Sequence, residues 1–110
     1  MLHTHFINGE WVAGEGHELS SIDPAKNVSI WQGKSATSAQ IDAAINAARN
    51  ALPQWSMMSV EARLTIIKAY GEKLAENKEY LAKVMAQETG KPEWETATEV
   101  GAMMGKIGIS

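Results

Sequence analysis

The chain has no cysteine among its 110 residues, so it can hold no disulfide, thiolate metal site or cysteine nucleophile. It is also poor in phenylalanine, with one, and in proline, with three. No apolar run approaches the ~20 residues that a membrane-spanning helix needs. The opening stretch, Met1 to Trp11, lacks a basic patch followed by an apolar core and does not read as a secretory signal. There is no surplus of positive charge: 10 basic side chains face 13 acidic ones, a formal charge of −3. Neither nucleic acid nor a membrane is therefore expected as a partner. What is present is 45% apolar residues, too many for a disordered chain. The length suits one domain, and a soluble cytoplasmic protein is the default expectation.

The character of the chain changes near residue 37. Before it, Phe6-Ile7 and Trp11-Val12 flank Asn8-Gly9, a dipeptide suited to a tight hairpin turn. Gly14 and Gly16 open a loop, and Glu18 to Ile22 reads as a strand stopped by Asp23-Pro24. Val28 to Gln32 reads as another strand. Two or three short antiparallel strands are expected over residues 1–36.

From 37 to 110 the period is helical. Thr37 or Ser38 caps a first helix whose apolar face is Ile41, Ala44, Ile45, Ala48, Leu52 and Trp55, with Pro53 tending to end it. Ser59 caps a second, with the face Val60, Leu64, Ile67, Tyr70 and Leu74. Asn77 caps a third segment or marks a bend. Gly90 sits at a helix C-terminus, and Pro92 suits the first turn of a fourth helix carrying Trp94, Ala97, Val100, Met103, Met104 and Ile107. The expected class is α+β, a small N-terminal antiparallel sheet followed by about four helices. Such wide apolar faces, and a last helix without a capping turn, suggest a piece of a longer protein that self-associates when alone.

Few residues offer chemistry. His3, His5 and His17 lack a fixed set of further ligands and read as solvated side chains. Gly101-x-x-x-Gly105 with Gly108 suggests close packing by another element. No serine stands in a nucleophile context, and no phosphate-cradling glycine loop is visible. Spacing assembles no catalytic set.

An ordered combination nevertheless stands out. Phe6-Ile7-Asn8-Gly9-Glu10-Trp11, Asp23-Pro24, Ala47-Ala48-Arg49 with Pro53-x-Trp55, Arg63, and Glu88-Thr89-Gly90-Lys91-Pro92 follow in sequence. Together they resemble the N-terminal part of the aldehyde dehydrogenase superfamily, over nearly the whole chain. Trp31-Gln32-Gly33-Lys34, Ala97-Thr98-Glu99-Val100 and Lys106-Ile107-x-Ile109-Ser110 look most like the branch acting on succinylglutamate semialdehyde in arginine breakdown.

The resemblance implies an NAD-dependent oxidation of a small aldehyde. A cysteine thiolate attacks the aldehyde, hydride passes to the nicotinamide, and a glutamate-activated water releases the acid. In the family pattern all these groups lie beyond Ser110, so no catalytic or NAD-binding residue is expected here. The implied place of the chain is the outer part of the cofactor-binding domain, with the rest of the parent enzyme as its partner. The resemblance also offers Ser21, through its carbonyl, and Glu88 for a monovalent cation. It places Glu99, Met103, Met104 and Lys106 near a substrate entrance. Two rival readings are a free-standing helical interaction module and a piece of an aldehyde dehydrogenase with another substrate.

Overall fold

The computed structural model describes residues 5–109. Four strands come first: β1 (His5–Ile7), β2 (Glu10–Val12), β3 (Glu18–Asp23) and β4 (Val28–Lys34). Four helices follow: α1 (Ser38–Met57), α2 (Val60–Glu76), α3 (Lys78–Thr89) and α4 (Glu93–Ile109). The α+β architecture is as expected. In place of one sheet of two or three strands there are two separate two-stranded antiparallel sheets, β1-β2 and β3-β4. The reason lies in the connection between them. Gly14 rests so close to the Lys34 carbonyl that a side chain there would collide with it. Gly16 then donates to the Ser35 carbonyl, and Ser35 donates to that of His17. The chain thus crosses the end of β4 instead of extending β2 into a shared ladder.

The described residues form two compact units, 5–21 with 29–58, and 22–28 with 59–109. In the first, Asn8 and Gly9 both take positive φ, 53° and 83°, the geometry of a type I′ turn. This sets the register His5↔Val12, Phe6↔Trp11, Ile7↔Glu10. The Phe6 and Trp11 rings lie 5.2 Å apart and tilted by 57°. Thr37 caps α1 in a reciprocal box with Gln40: Gln40 N donates to Thr37 Oγ1, and Thr37 N donates to Gln40 Oε1. The same Gln40 amide accepts from Glu15 N at 3.0 Å and donates to the Ala13 carbonyl at 2.9 Å. One side chain therefore ties the loop to the helix start.

Pro53 does not end α1, which runs on to Met57. The proline sits in the last turn and a half, so its missing N–H removes one helical bond, and its φ is already suited to a helix. The Ser56 hydroxyl donates to the Pro53 carbonyl at 3.0 Å. No residue of α1 is buried.

In the second unit, Asp23 is buried, and its Oδ1 accepts from Ala25 N and Lys26 N while its carbonyl accepts from Asn27 N. The turn so formed places the Pro24 ring against Gly90, which takes left-handed φ 76° and closes α3. Ser59 caps α2 through Ala62 N. Asn77 separates α2 from α3, its side chain bonding back to the Lys73 carbonyl. Pro92 stands one residue before α4, its carbonyl accepting from Glu95 and Thr96.

The α2 face that packs is Ile67, Gly71 and Leu74 rather than the predicted row through Tyr70, because Gly71 admits Ile107 of α4. Leu74, Ala82 and Val100 are buried, with Thr96 among them. Thr96 Oγ1 donates to the Ala82 carbonyl at 2.7 Å and pins α4 to α3.

Two substitutions test these attachments. Thr96→Val keeps the shape and removes the buried donor; the urea midpoint should fall by the equivalent of about 1–3 kcal/mol. Gln40→Ala should leave the helices in place, while hydrogen exchange at the Glu15 amide becomes markedly faster.

Candidate functional site

Of the residues the resemblance offers for a role, Glu88 is on α3 and Glu99, Met103, Met104 and Lys106 are on α4. Lys91 and Glu99 meet across the turn between these helices, Nζ to Oε1 at 2.5 Å. Glu99 holds the Lys91 ammonium above its ordinary 10.5, first by the hydrogen bond and then by its charge. The pair thus keeps its lysine charge up to pH values beyond 10.5 and loses it only as pH rises through that raised value. Glu99 therefore serves to brace the turn. Met103 and Met104 are half-buried on α4, and Lys106 is exposed in its last turns.

Gly101, Gly105 and Gly108 were expected to receive a close neighbour. A side chain built on any of them would meet nothing within 4 Å. The close approach in this unit is at Gly71, because the α4 stripe that packs runs through Thr96, Val100 and Ile107. Sequence reasoning missed Thr96 as a buried anchor and Gly71 as the seat of Ile107. The recurrence of Ile67, Gly71 and Leu74 at helical spacing was the available signal.

Ser21 is half-buried in β3 of the first unit, and Glu88 is on the exposed side of α3 in the second. His3 lies outside the described residues. His5 Nε2 is 3.1 Å from the Lys34 carbonyl, and His17 uses its own carbonyl to hold Ser35 N. Among the described residues, no group of three or more His, Asp or Glu side chains converges as a metal site would require. The groove along β3 and β4, about 300 Å³, is lined in part by Glu18, Ser20, Gln32 and Lys34. No helix among the described residues is long and apolar enough to cross a membrane.

What these residues present instead is uncovered apolar surface. Phe6, Trp11, Ile41, Ile45, Leu52, Val60 and Trp94 are all at least half exposed. The accessible surface is 8354 Å², where a folded chain of 11.9 kDa ordinarily keeps about 6,000 Å². Such a surface is suited to packing against other apolar groups.

The chain is similar to known proteins over almost its whole length. The pattern of the aldehyde dehydrogenase family matches residues 11–109. Among solved structures, the chain is similar to an NAD-dependent benzaldehyde dehydrogenase from Corynebacterium glutamicum, with 27% identity and a TM-score of 0.90 over 96% of this chain and 23% of that one. A betaine aldehyde dehydrogenase from Staphylococcus aureus, solved with NAD+, gives 27% identity and 0.88 over 96% of this chain and 22% of that one. An NADP-dependent glyceraldehyde-3-phosphate dehydrogenase from Bacillus halodurans gives 26% and 0.84 over 90% and 21%. The chain thus spans less than a quarter of each of these enzymes. With 99 consecutive residues following the family pattern, it belongs to the aldehyde dehydrogenase family.

Proposed function

We propose that this chain works as the N-terminal segment of the cofactor-binding domain of an NAD(P)-dependent aldehyde dehydrogenase. In this reading the parent enzyme oxidises N-succinylglutamate 5-semialdehyde to N-succinylglutamate in arginine breakdown. The observation that carries the segment reading is the apolar surface left open on α1, α2 and α4 in a chain that matches under a quarter of each related enzyme. The substrate rests on Trp31 to Lys34, Ala97 to Val100 and Lys106 to Ser110, which resemble the succinylglutamate semialdehyde branch.

The described residues do not by themselves fit a dinucleotide. Both sheets are antiparallel hairpins, and no glycine-rich turn leads from a strand into a helix. The start of α1 is filled by Thr37 and Gln40 of its own capping box. In the proposed enzyme, cofactor and nucleophile are therefore held by other polypeptide, and the role of these residues is to cover and brace that domain. Ser21, through its carbonyl, and Glu88 are the oxygen donors this segment would offer a monovalent cation.

The test is an assay of the whole protein with NAD and NADP on N-succinylglutamate 5-semialdehyde, betaine aldehyde and benzaldehyde. The highest kcat/KM is expected on the first. A preference for another aldehyde would replace the substrate and leave the segment reading intact. The 110-residue chain alone should form no reduced cofactor with any of them. Measurable turnover by the chain alone would refute the segment reading. Sedimentation of the chain alone should show species larger than the monomer, and monomer at every concentration would count against the open apolar surface.

A further inference from the structure

Asn8 and Gly9 are both exposed at the tip of the β1-β2 hairpin. A Cβ built on Gly9 would meet nothing within 4 Å, so the approach to its nitrogen is open. Among the described residues, neither the Asn8 side-chain amide nor the Gly9 N–H has a hydrogen-bond partner. An asparagine amide beside a glycine N–H is a reactive pair, because that nitrogen can close a five-membered ring on the asparagine Cγ and no side chain shields it. The remaining asparagines are held differently. Asn27 precedes Val28, whose branched Cβ crowds the attacking nitrogen. Asn46 and Asn50 lie inside α1, where the N–H groups that follow them belong to the helix ladder. Asn77 donates from Nδ2 to the Lys73 carbonyl at 2.9 Å. The turn at Asn8 restrains the chemistry in another way. A type I′ turn keeps the Gly9 nitrogen turned away from the Asn8 side chain, so ring closure waits until the hairpin opens. Opening is easy, because the ladder has only the pairs His5↔Val12, Phe6↔Trp11 and Ile7↔Glu10, and Phe6 and Trp11 stay 61% and 63% exposed.

We propose that Asn8 is a site of spontaneous covalent modification, deamidating through a cyclic imide at a rate set by opening of the β1-β2 hairpin. A base in solution takes the Gly9 N–H proton, and the nitrogen forms a bond to Asn8 Cγ. The Cγ–Nδ2 bond breaks, and the leaving nitrogen takes a proton from water and departs as ammonia. Water then adds to one of the imide carbonyls. Opening at Cγ leaves aspartate in an unaltered backbone. Opening at the main-chain carbonyl leaves isoaspartate, with Cβ inserted into the backbone. One water is consumed for each ammonia released, and nothing is oxidised or reduced. Aspartate can keep the left-handed turn. Isoaspartate lengthens the short loop that sets the register, so the Phe6↔Trp11 pairing is lost with it. None of this depends on the segment reading.

The test is incubation of the whole protein at mildly alkaline pH, followed by peptide mapping that separates asparagine, aspartate and isoaspartate at each position. Asn8 should be lost about tenfold faster than Asn27, Asn46, Asn50 or Asn77, with isoaspartate among its products. Loss of Asn8 no faster than the others, or aspartate without isoaspartate, would overturn the proposal. Trp11→Ala removes the cross-strand ring contact and leaves both reacting residues in place. It should speed the loss of Asn8 by about twofold to fivefold, the change in hairpin opening expected from one aromatic pair. The rate at Asn46 and Asn50 reports whether α1 is intact in that variant. A rise confined to Asn8 supports control by the hairpin. An equal rise at every asparagine, or none at all, overturns it. Asn8→Asp should keep the turn and form no ammonia, and isoaspartate at that position should weaken the Phe6–Trp11 contact seen in tryptophan fluorescence. Unchanged fluorescence in material carrying isoaspartate would refute the loss of register.

Discussion

Burial is the scarce quantity in this chain. Of its apolar side chains, Leu74, Ala82 and Val100 reach core burial, all of them where α2, α3 and α4 meet. At roughly 25 cal/mol per Å² of apolar surface, side chains left half exposed forgo much of the stabilisation that full cover would give. A chain with 45% apolar residues and so little interior keeps much apolar surface in water. The clearest case is α1, whose Ile41, Ile45 and Leu52 share one helical face and find no burial along its 20 residues.

Where apolar burial is missing, hydrogen bonds fix position. In the first unit Gln40 binds the Ala13–Glu15 loop and the start of α1 at once, and Gly14 lets the backbone approach Lys34 closely. In the second, Asp23 shapes the turn that sets Pro24 against Gly90, and Thr96 fastens α4 to α3. Gln40, Asp23 and Thr96 each satisfy backbone groups with a side chain, each such bond worth about 0.5–1.5 kcal/mol net. Interactions of this size define geometry well and stabilise it weakly.

The features legible in the sequence were those set by neighbours along the chain. Asn8-Gly9 turns, Thr37 and Ser59 cap, and Gly90 stops α3, because each acts within four residues. The features that escaped depend on contacts across the fold. Pro53 reads as a stop, yet a proline near a helix end removes one bond and leaves the rest of the turn intact. Gly101 and Gly105 read as a packing stripe, but the element that packs comes in at Gly71. Thr96 reads as an ordinary polar helix residue until the Ala82 carbonyl arrives beside it. The family pattern was legible for a different reason, being carried by order along the chain and needing no knowledge of contacts.

Substrate-entrance roles for Glu99 and Lys106 have to be weighed against what the structure has them doing. Glu99 is already engaged by Lys91, and a carboxylate committed to an ion pair across a turn is poorly placed to select substrate charge. The Gly-Lys-Pro at residues 90–92 then has a mechanical logic. Glycine reverses the chain, lysine reaches forward to Glu99, and the proline carbonyl starts α4. Together they set the angle at which α4 leaves α3. Since the packed stripe of α4 runs through Thr96, Val100 and Ile107, that angle governs how the stripe lies on α3 and α2. The turn at residues 90–92 therefore fixes where Thr96 reaches the Ala82 carbonyl and where Ile107 meets Gly71.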